Sequence, residues 1–391
     1  EQLAPDLFAF TSSEIWPVVR EYERTTTTIL NGYVHPRVTG YLTGLEDTLS
    51  DLGMPAPPLL TKSNGGLMRA ETGKRNCVSM LLSGTAAGVT GACWLARQAG
   101  NDRVLTLDIG GTSADMALII DGQPQFGKDE KIGDYPLHIP SVSVSSIGIG
   151  GGSIARVDAF GVLKVGPESA GSAPGPACYG RGGMHATLTD ALAVCGYLGH
   201  APMAYGQLTL EIERANSVVE NIAQALGRDV PATAEAIIRV AVSEMFVEVE
   251  KLASRAGIDL RDYTLMPFGG GGPMLGAMLA RDLGMGHILV PHRPGLVSAL
   301  GGLVSDFKGD FVRALFVSCN DSSVEALQKA SDDLIVDGNA WLYQNQGFDA
   351  AGETLFSAEM RYAGQSFEVD VPLTQEWIAS GNVTAIRSAF D

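Results

Sequence analysis

Residues 104–120 read Val104-Leu-Thr-Leu-Asp108-Ile-Gly-Gly-Thr-Ser-Ala-Asp115-Met-Ala-Leu-Ile-Ile120. Two apolar runs flank a polar tip centred on glycine, a pattern that predicts a β-hairpin. Asp108 closes the first strand and Asp115 opens the second. Glycine lets backbone N–H groups approach an anion with no side chain in between. Gly110, Gly111, Thr112 and Ser113 are therefore phosphate-binding candidates, offering backbone donors and two hydroxyls. Asp108 and Asp115 add carboxylates suited to holding Mg²⁺ through water or to orienting a nucleophile. On shape alone, an ordinary tight hairpin with polar turn residues would look the same.

Outward from the hairpin, two more glycine clusters follow apolar runs: Gly148–Ser153, and Gly269–Gly272 with Pro273, which ends the run Leu265-Met-Pro-Phe268 and opens a predicted helix. A helix start adds a favourable dipole for an anion. The familiar glycine signatures are missing. There is no G-x-x-x-x-G-K-[ST], and Gly148, Gly150 and Ser153 give G-x-G-x-x-S, which lacks the last glycine of the dinucleotide fingerprint. No H-E-x-x-H or G-x-S-x-G is present. P-loop, Rossmann, zincin and α/β-hydrolase sites are accordingly disfavoured.

The remaining pattern alternates strands and helices. Ser12 or Ser13 caps an expected helix starting near Glu14, with Pro17 in its first turn. Apolar spacing predicts a long helix over about 27–52, with Pro36 as a kink. Leu59-Leu-Thr61 is a short strand that turns at Ser63-Asn-Gly-Gly66. An Ala/Gly-rich helix runs to about Ala99. Helices are expected over about 187–198, 208–226, 231–256, 273–283 and 294–305. Beyond Asp306 the texture changes to α+β: a strand over 311–317, a helix over 323–344, and a hairpin over 355–371. The expected domains are 1–305 and 306–391.

Composition bounds the function. The 391 residues carry 27 Lys plus Arg against 44 Asp plus Glu, a formal net charge of −17. Such a chain lacks the basic face that nucleic acid requires. No apolar run is long enough for a membrane helix. The five cysteines are spread out with no CxxC pair, which suits reduced thiols in a cytoplasmic protein. Cys178, in a Pro/Gly-rich loop, reads as a small loop residue because no activating partner is evident. The 48 glycines cluster in loops, with no collagen period. Glu1 stands at the start in place of Met, and both ends look cut, so a larger polypeptide is expected.

In chain order, several segments carry a resemblance: Arg20-Glu-Tyr-Glu-Arg24 with Thr25–Thr28, Ser63-Asn-Gly-Gly66, Ser83-Gly-Thr-Ala-Ala-Gly88 and the 108–115 hairpin. They continue with Gly150-Gly-Gly-Ser-Ile154, Val165-Gly-Pro-Glu-Ser-Ala-Gly171, Pro174-Gly-Pro-Ala-Cys-Tyr-Gly180 and Leu188-Thr-Asp190. Phe268-Gly-Gly-Gly-Gly-Pro273, Pro291-His-Arg-Pro-Gly295 and Arg361-Tyr-Ala-Gly-Gln365 complete the series. Together they resemble the hydantoinase A / 5-oxoprolinase family. The likeness covers nearly the whole chain, and the series is specific where no single piece is.

The resemblance implies an α/β, actin-like (ribonuclease H-like) ATPase fold with an additional C-terminal α+β segment. It makes 108–115 the second of two phosphate hairpins, the first expected upstream of this chain, which alone should then be inactive. It makes Gly269, Gly270, Gly271 and Gly272 an adenosine loop. Asp108 is the expected catalytic Mg²⁺ ligand, with Asp115 as an accessory or base. Ser63, Asn64 and Asp190 are expected to line the substrate cleft. ATP and Mg²⁺ are the implied cofactors. The implied reaction is ATP-dependent hydrolysis of a cyclic amide such as hydantoin or 5-oxoproline. The alternative is a phosphotransferase or carboxylase subunit acting on a small molecule. A B-type hydantoinase subunit or fused domain is the implied partner, and a homo-oligomer is left open.

Overall fold

The computed structural model describes residues 7–127, 130–199, 206, 208–349 and 352–391. Contacts divide the chain into two units. One comprises Leu82–Gly127 and Val142–Ser305; the other comprises Glu1–Leu81, Lys128–Ser141 and Asp306–Asp391. The unit border at Ser305 falls where the sequence changes texture. Residues 1–81 and 128–141, however, group with 306–391 and not with the rest of 1–305.

The first unit is a sheet covered on both faces. Its strand order is Ser145–Ile147, Ala114–Ile120, Val104–Ile109, Thr264–Gly269, His287–Ile288, with Gln123–Pro124 beside Ala114–Ile120. The 104–109 and 114–120 strands are antiparallel, and the 264–269 strand runs parallel to 104–109. Alternation along each strand sorts residues between the faces. Leu105, Leu107, Ile109, Met116, Leu118 and Leu265 pack with the helices Leu188–Val194, Val230–Ala256 and Gly272–Asp282. Val104, Ile119, Met266 and Phe268 face the other way, against the helices Ser83–Gln98 and Val297–Val304. The same alternation puts Asp108 on that second face, in line with Val104 and Thr106. Asp108 thus sits where a glycine-rich helix pair crosses.

That helix pair approaches closely because it has no side chains in the way. A Cβ on Gly301 would lie 1.8 Å from the Ala87 carbonyl oxygen, and one on Gly91 would lie 2.2 Å from that of Val297. Only glycine permits such contact.

In the second unit, the helix Glu21–Asp51 runs through Pro36. The fully buried Asn31 bridges the Arg75 carbonyl and the Val78 N–H. The preceding helix is only Ser12–Ile15, capped by Thr11 and not by Ser12 or Ser13. Extended backbone at Trp16 ends it before Pro17, which fixes its own φ and has no N–H to donate. The hairpin Phe356–Met360 / Val369–Leu373 forms as expected. The expected strand over 311–317 does not: the segment has no regular secondary structure, pairs with no strand among the described residues, and leaves Phe316 79% exposed. The helix expected to reach residue 344 is α-helical over Val324–Ala340, and a π turn follows at Trp341–Asn345. The helix expected from residue 294 begins as a 3₁₀ turn, Pro294–Leu296.

Candidate functional site

The hairpin tip is held on two sides by backbone. On one side the Gly151 N–H donates to the Gly110 carbonyl at 2.9 Å, and the Gly152 N–H to that of Gly111 at 2.7 Å. A Cβ on Gly150 would stand 2.6 Å from the Thr112 nitrogen. The 148–153 cluster therefore serves as a close-packed support. Thr189 extends it, donating from Oγ1 to the Gly151 carbonyl at 2.7 Å.

On the other side lies the four-glycine run. The Gly271 N–H donates to the Ile109 carbonyl at 2.9 Å. Gly269 has φ +76°, and a Cβ there would meet Asp108 Oδ1 at 2.2 Å. A Cβ on Gly271 would meet the Ile109 side chain at 2.8 Å, and one on Gly272 the Leu107 carbonyl at 3.0 Å. Three of the four glycines thus leave room for the hairpin itself, a reason distinct from the expected nucleotide contact. Gly270 is exposed, with nothing within 4 Å of its Cβ position. Gly110, Gly111 and Thr112 at the tip are also exposed, and Ser113 is half-buried.

Asp108 and Asp115 are direct cross-strand partners. Ser146 pairs with Asp115, and Phe268 with Asp108. The four residues form one row across the sheet, facing the 83–98 helix. Directly opposed like charges are unfavourable. Burial, then the Asp115 charge, raises the Asp108 carboxyl from 3.8 to about 6, partly countered by the Ser298 hydroxyl. Burial also raises Asp115, which the Ser146 and Thr85 hydroxyls oppose. Ser146 Oγ donates to Asp115 Oδ1. The crevice around the pair is lined by Thr85, Val89, Thr106, Val144 and Phe268 among others.

Asp190 does not line an open cleft. It is fully buried, and its carboxylate accepts from the N–H groups of Ala177 (3.2 Å), Cys178 (2.7 Å) and Thr187 (3.0 Å) and from the Thr187 hydroxyl (2.7 Å). A buried carboxylate needs such donors, and these four bind it to its own loop. Burial, then the Asp190 charge, pushes the Cys178 thiol up, which keeps it protonated and inert.

Ser63 and Asn64 belong to the other unit, and both are buried. Ser63 Oγ donates to the Ser79 carbonyl at 2.9 Å. Asn64 Nδ2 donates to Asp310 at 2.6 Å while its Oδ1 accepts from the Gly66 N–H at 2.9 Å. Lys62 Nζ donates to the Lys308 carbonyl at 2.8 Å, and burial lowers its pKa. Lys62 and Asn64 bind the 59–69 hairpin to residues 306–310 and Ser63 binds it to Ser79, and their polar atoms are used in doing so.

Ser146, Thr85 and Ser298 were not among the expected site residues. Thr85 lies inside a segment that carries the family resemblance; nothing in the local sequence marks Ser146 or Ser298. Among the described residues no group of three or more His, Cys, Asp or Glu side chains is placed to hold a metal ion. None of the five cysteines, all among the described residues, is in a disulfide, and no helix among the described residues is long and apolar enough to cross a membrane.

A profile of the hydantoinase/oxoprolinase family matches residues 24–310. The chain is 34% identical to the caprolactamase subunit alpha of Pseudomonas jessenii, over 99% of this chain and 56% of that one. The crystal structure of the ATP-dependent caprolactamase from that organism matches with a TM-score of 0.83 at 33% identity, over 100% of this chain and 57% of the other. Acetone carboxylase, nucleotide-free, matches with a TM-score of 0.80 at 26% identity, over 97% of this chain and 56% of the other. 5-Oxoprolinase 1 of Arabidopsis thaliana is 28% identical over 97% of this chain and 30% of its own length. The chain spans about half the length of these relatives, or less.

Proposed function

Because the chain belongs to the hydantoinase/oxoprolinase family, we propose that it is the nucleotide-handling part of an ATP-dependent hydrolase that opens a cyclic amide. The observation that carries this reading is the hairpin: an exposed glycine tip, held from both sides, with a half-buried carboxylate pair at its base.

In this reading Gly110, Gly111, Thr112 and Ser113 bind the phosphates through N–H and hydroxyl donors. Gly270 and the start of the Gly272–Asp282 helix take the adenosine side, in an actin-like arrangement. Gly269, Gly271 and Gly272 contribute by seating the hairpin. A carboxylate pair with hydroxyl neighbours is a donor set that fits Mg²⁺, which binds proteins through one or two carboxylates and keeps several waters. Asp108 would hold it, and the ion would neutralise phosphate charge during transfer.

The amide oxygen takes the terminal phosphoryl group and ADP leaves. Water then adds at the amide carbon and the C–N bond breaks with the nitrogen taking a proton, which leaves an acyl phosphate that a second water hydrolyses to acid and free phosphate. An amide is a poor electrophile, and this transfer turns its oxygen into a leaving group. The protein's share is positioning and charge stabilisation. Ser63, Asn64 and Asp190 act as residues that hold loops. Five cysteines with no disulfide among them suit a reducing cytoplasm. A B-type subunit or fused domain is the proposed partner, in keeping with a relative named as a subunit alpha.

The carboxylase relative supports a second reading, phosphorylation of a small molecule without amide hydrolysis. A phosphate balance on the full-length protein separates the two. Ring opening yields ADP, free phosphate and acid in equal amounts; the second reading yields a phosphorylated product. Asp108→Ala is expected to lower ATP turnover at least about 100-fold, the scale of a lost electrostatic stabiliser. Unchanged turnover would remove Asp108 from the mechanism.

A further inference from the structure

The edge strand Ser145–Ile147 is short, and its two serines point to opposite faces of the sheet. Ser145 Oγ donates to Glu248 Oε1 at 2.5 Å, on the Val230–Ala256 helix. Ser146 Oγ donates to Asp115 Oδ1 on the face that carries Asp108. One serine fixes the strand to the helical layer, and the other reaches the carboxylate row.

Asp115 needs that hold. It faces Asp108 directly across the strand pair, and both carboxylates are half-buried. Asp108 is already seated from the far side: its Oδ1 fills the space left by the missing side chain of Gly269. Asp115 is held instead by hydroxyls. Its donors are the hydroxyl of Ser146 on the sheet edge and that of Thr85 in the first turn of the 83–98 helix. The Ser146 bond draws Asp115 along the row toward the edge, away from Asp108.

We propose that Ser146 is a positioning residue that keeps the Asp115 carboxylate off Asp108, so that the outer oxygen of Asp108 stays available to a divalent cation bound with a nucleotide. The inference rests on the reading of the hairpin as a nucleotide site. It assigns unequal roles to the two acids: Asp115 is held by the Ser146 and Thr85 hydroxyls, and Asp108, seated against Gly269 beside the Ser298 hydroxyl, faces the cation. Without the Ser146 hydroxyl, Asp115 keeps Thr85 as a donor and loses the pull that draws its carboxylate toward the sheet edge, away from Asp108.

The test uses the full-length protein and calorimetric titration with ATP, with and without Mg²⁺, alongside thermal melting. Ser146→Ala is expected to reduce the Mg²⁺ enhancement of ATP affinity about tenfold, which corresponds to about 1.4 kcal/mol, while Mg²⁺-free affinity changes less than about twofold. Ser146→Thr keeps the hydroxyl and is expected to keep the enhancement. Ser145→Ala is the control for strand anchoring: it is expected to lower the melting temperature and leave the enhancement intact. Wild-type enhancement in Ser146→Ala, or an equal loss in Ser145→Ala, overturns the proposal. If Asp108→Ala abolishes the enhancement while Ser146→Ala retains it, the nucleotide reading stands and this inference alone falls. If the wild-type protein shows no Mg²⁺-dependent ATP binding, both fall.

Discussion

Single residues here take their roles from what surrounds them. Asp108 and Asp190 are both aspartates near glycine-rich turns, yet their environments are opposite. Asp190 is fully buried and accepts four hydrogen bonds, so replacing it removes a loop anchor. Asp190→Asn is expected to cost about 2 kcal/mol or more, since the new amide group faces N–H donors. Chemical denaturation measures this. Asp108 instead gains burial and a like-charged neighbour, and its carboxyl rises from 3.8 to about 6. Between those pH values the folded protein binds more protons at this site than the unfolded chain does, so stability conferred by the site falls as pH rises. Asp108→Asn is therefore expected to raise the melting temperature at pH 7, relative to wild type, more than at pH 4. An equal shift at both pH values would contradict the stated cause. None of this contrast is visible in the sequence, where the two residues look alike.

At the scale of elements, the glycine clusters have two distinct uses. The 148–153 and 269–272 loops grip the hairpin, and Gly88, Gly91 and Gly301 let two helices cross at backbone distance. Gly301→Ala would place a Cβ 1.8 Å from the Ala87 carbonyl and is expected to destabilise by about 2 kcal/mol. Gly40→Ala, on an open face of the 21–51 helix, meets nothing within 4 Å and is expected to stabilise by about 0.5–1 kcal/mol. Paired melting curves of the two variants check the assignment. The hairpin and most helices were legible because apolar periodicity records which face a strand or helix buries. The 311–317 segment was misread for the same reason. Phe311, Leu315, Phe316 and Val317 have strand-like composition, but a strand also needs a partner, and among the described residues it has none.

For the whole molecule, chain order misleads about grouping. The turn at Ser63–Gly66 resembles a site loop, but its Asn64 and the adjoining Lys62 bind residues 306–310, more than 200 positions away, and its Ser63 binds Ser79. Asn64→Ala is expected to lower the melting temperature, by leaving Asp310 without its donor, and to leave MgATP affinity unchanged; a loss of affinity would return Asn64 to the site. The sequence by itself determined the hairpin, the α/β alternation, the acidic character that disfavours nucleic acid, and a family resemblance carried by motifs in order. These depend on local pattern, composition and motif order, which a linear chain records directly. Only the tertiary structure decided that Asp108 and Asp115 oppose each other, that Ser146 holds one of them, that Gly269 seats the other, and that Asp190 is a loop anchor. Each of those facts depends on strand register and burial, which long-range packing sets and no short stretch of sequence encodes.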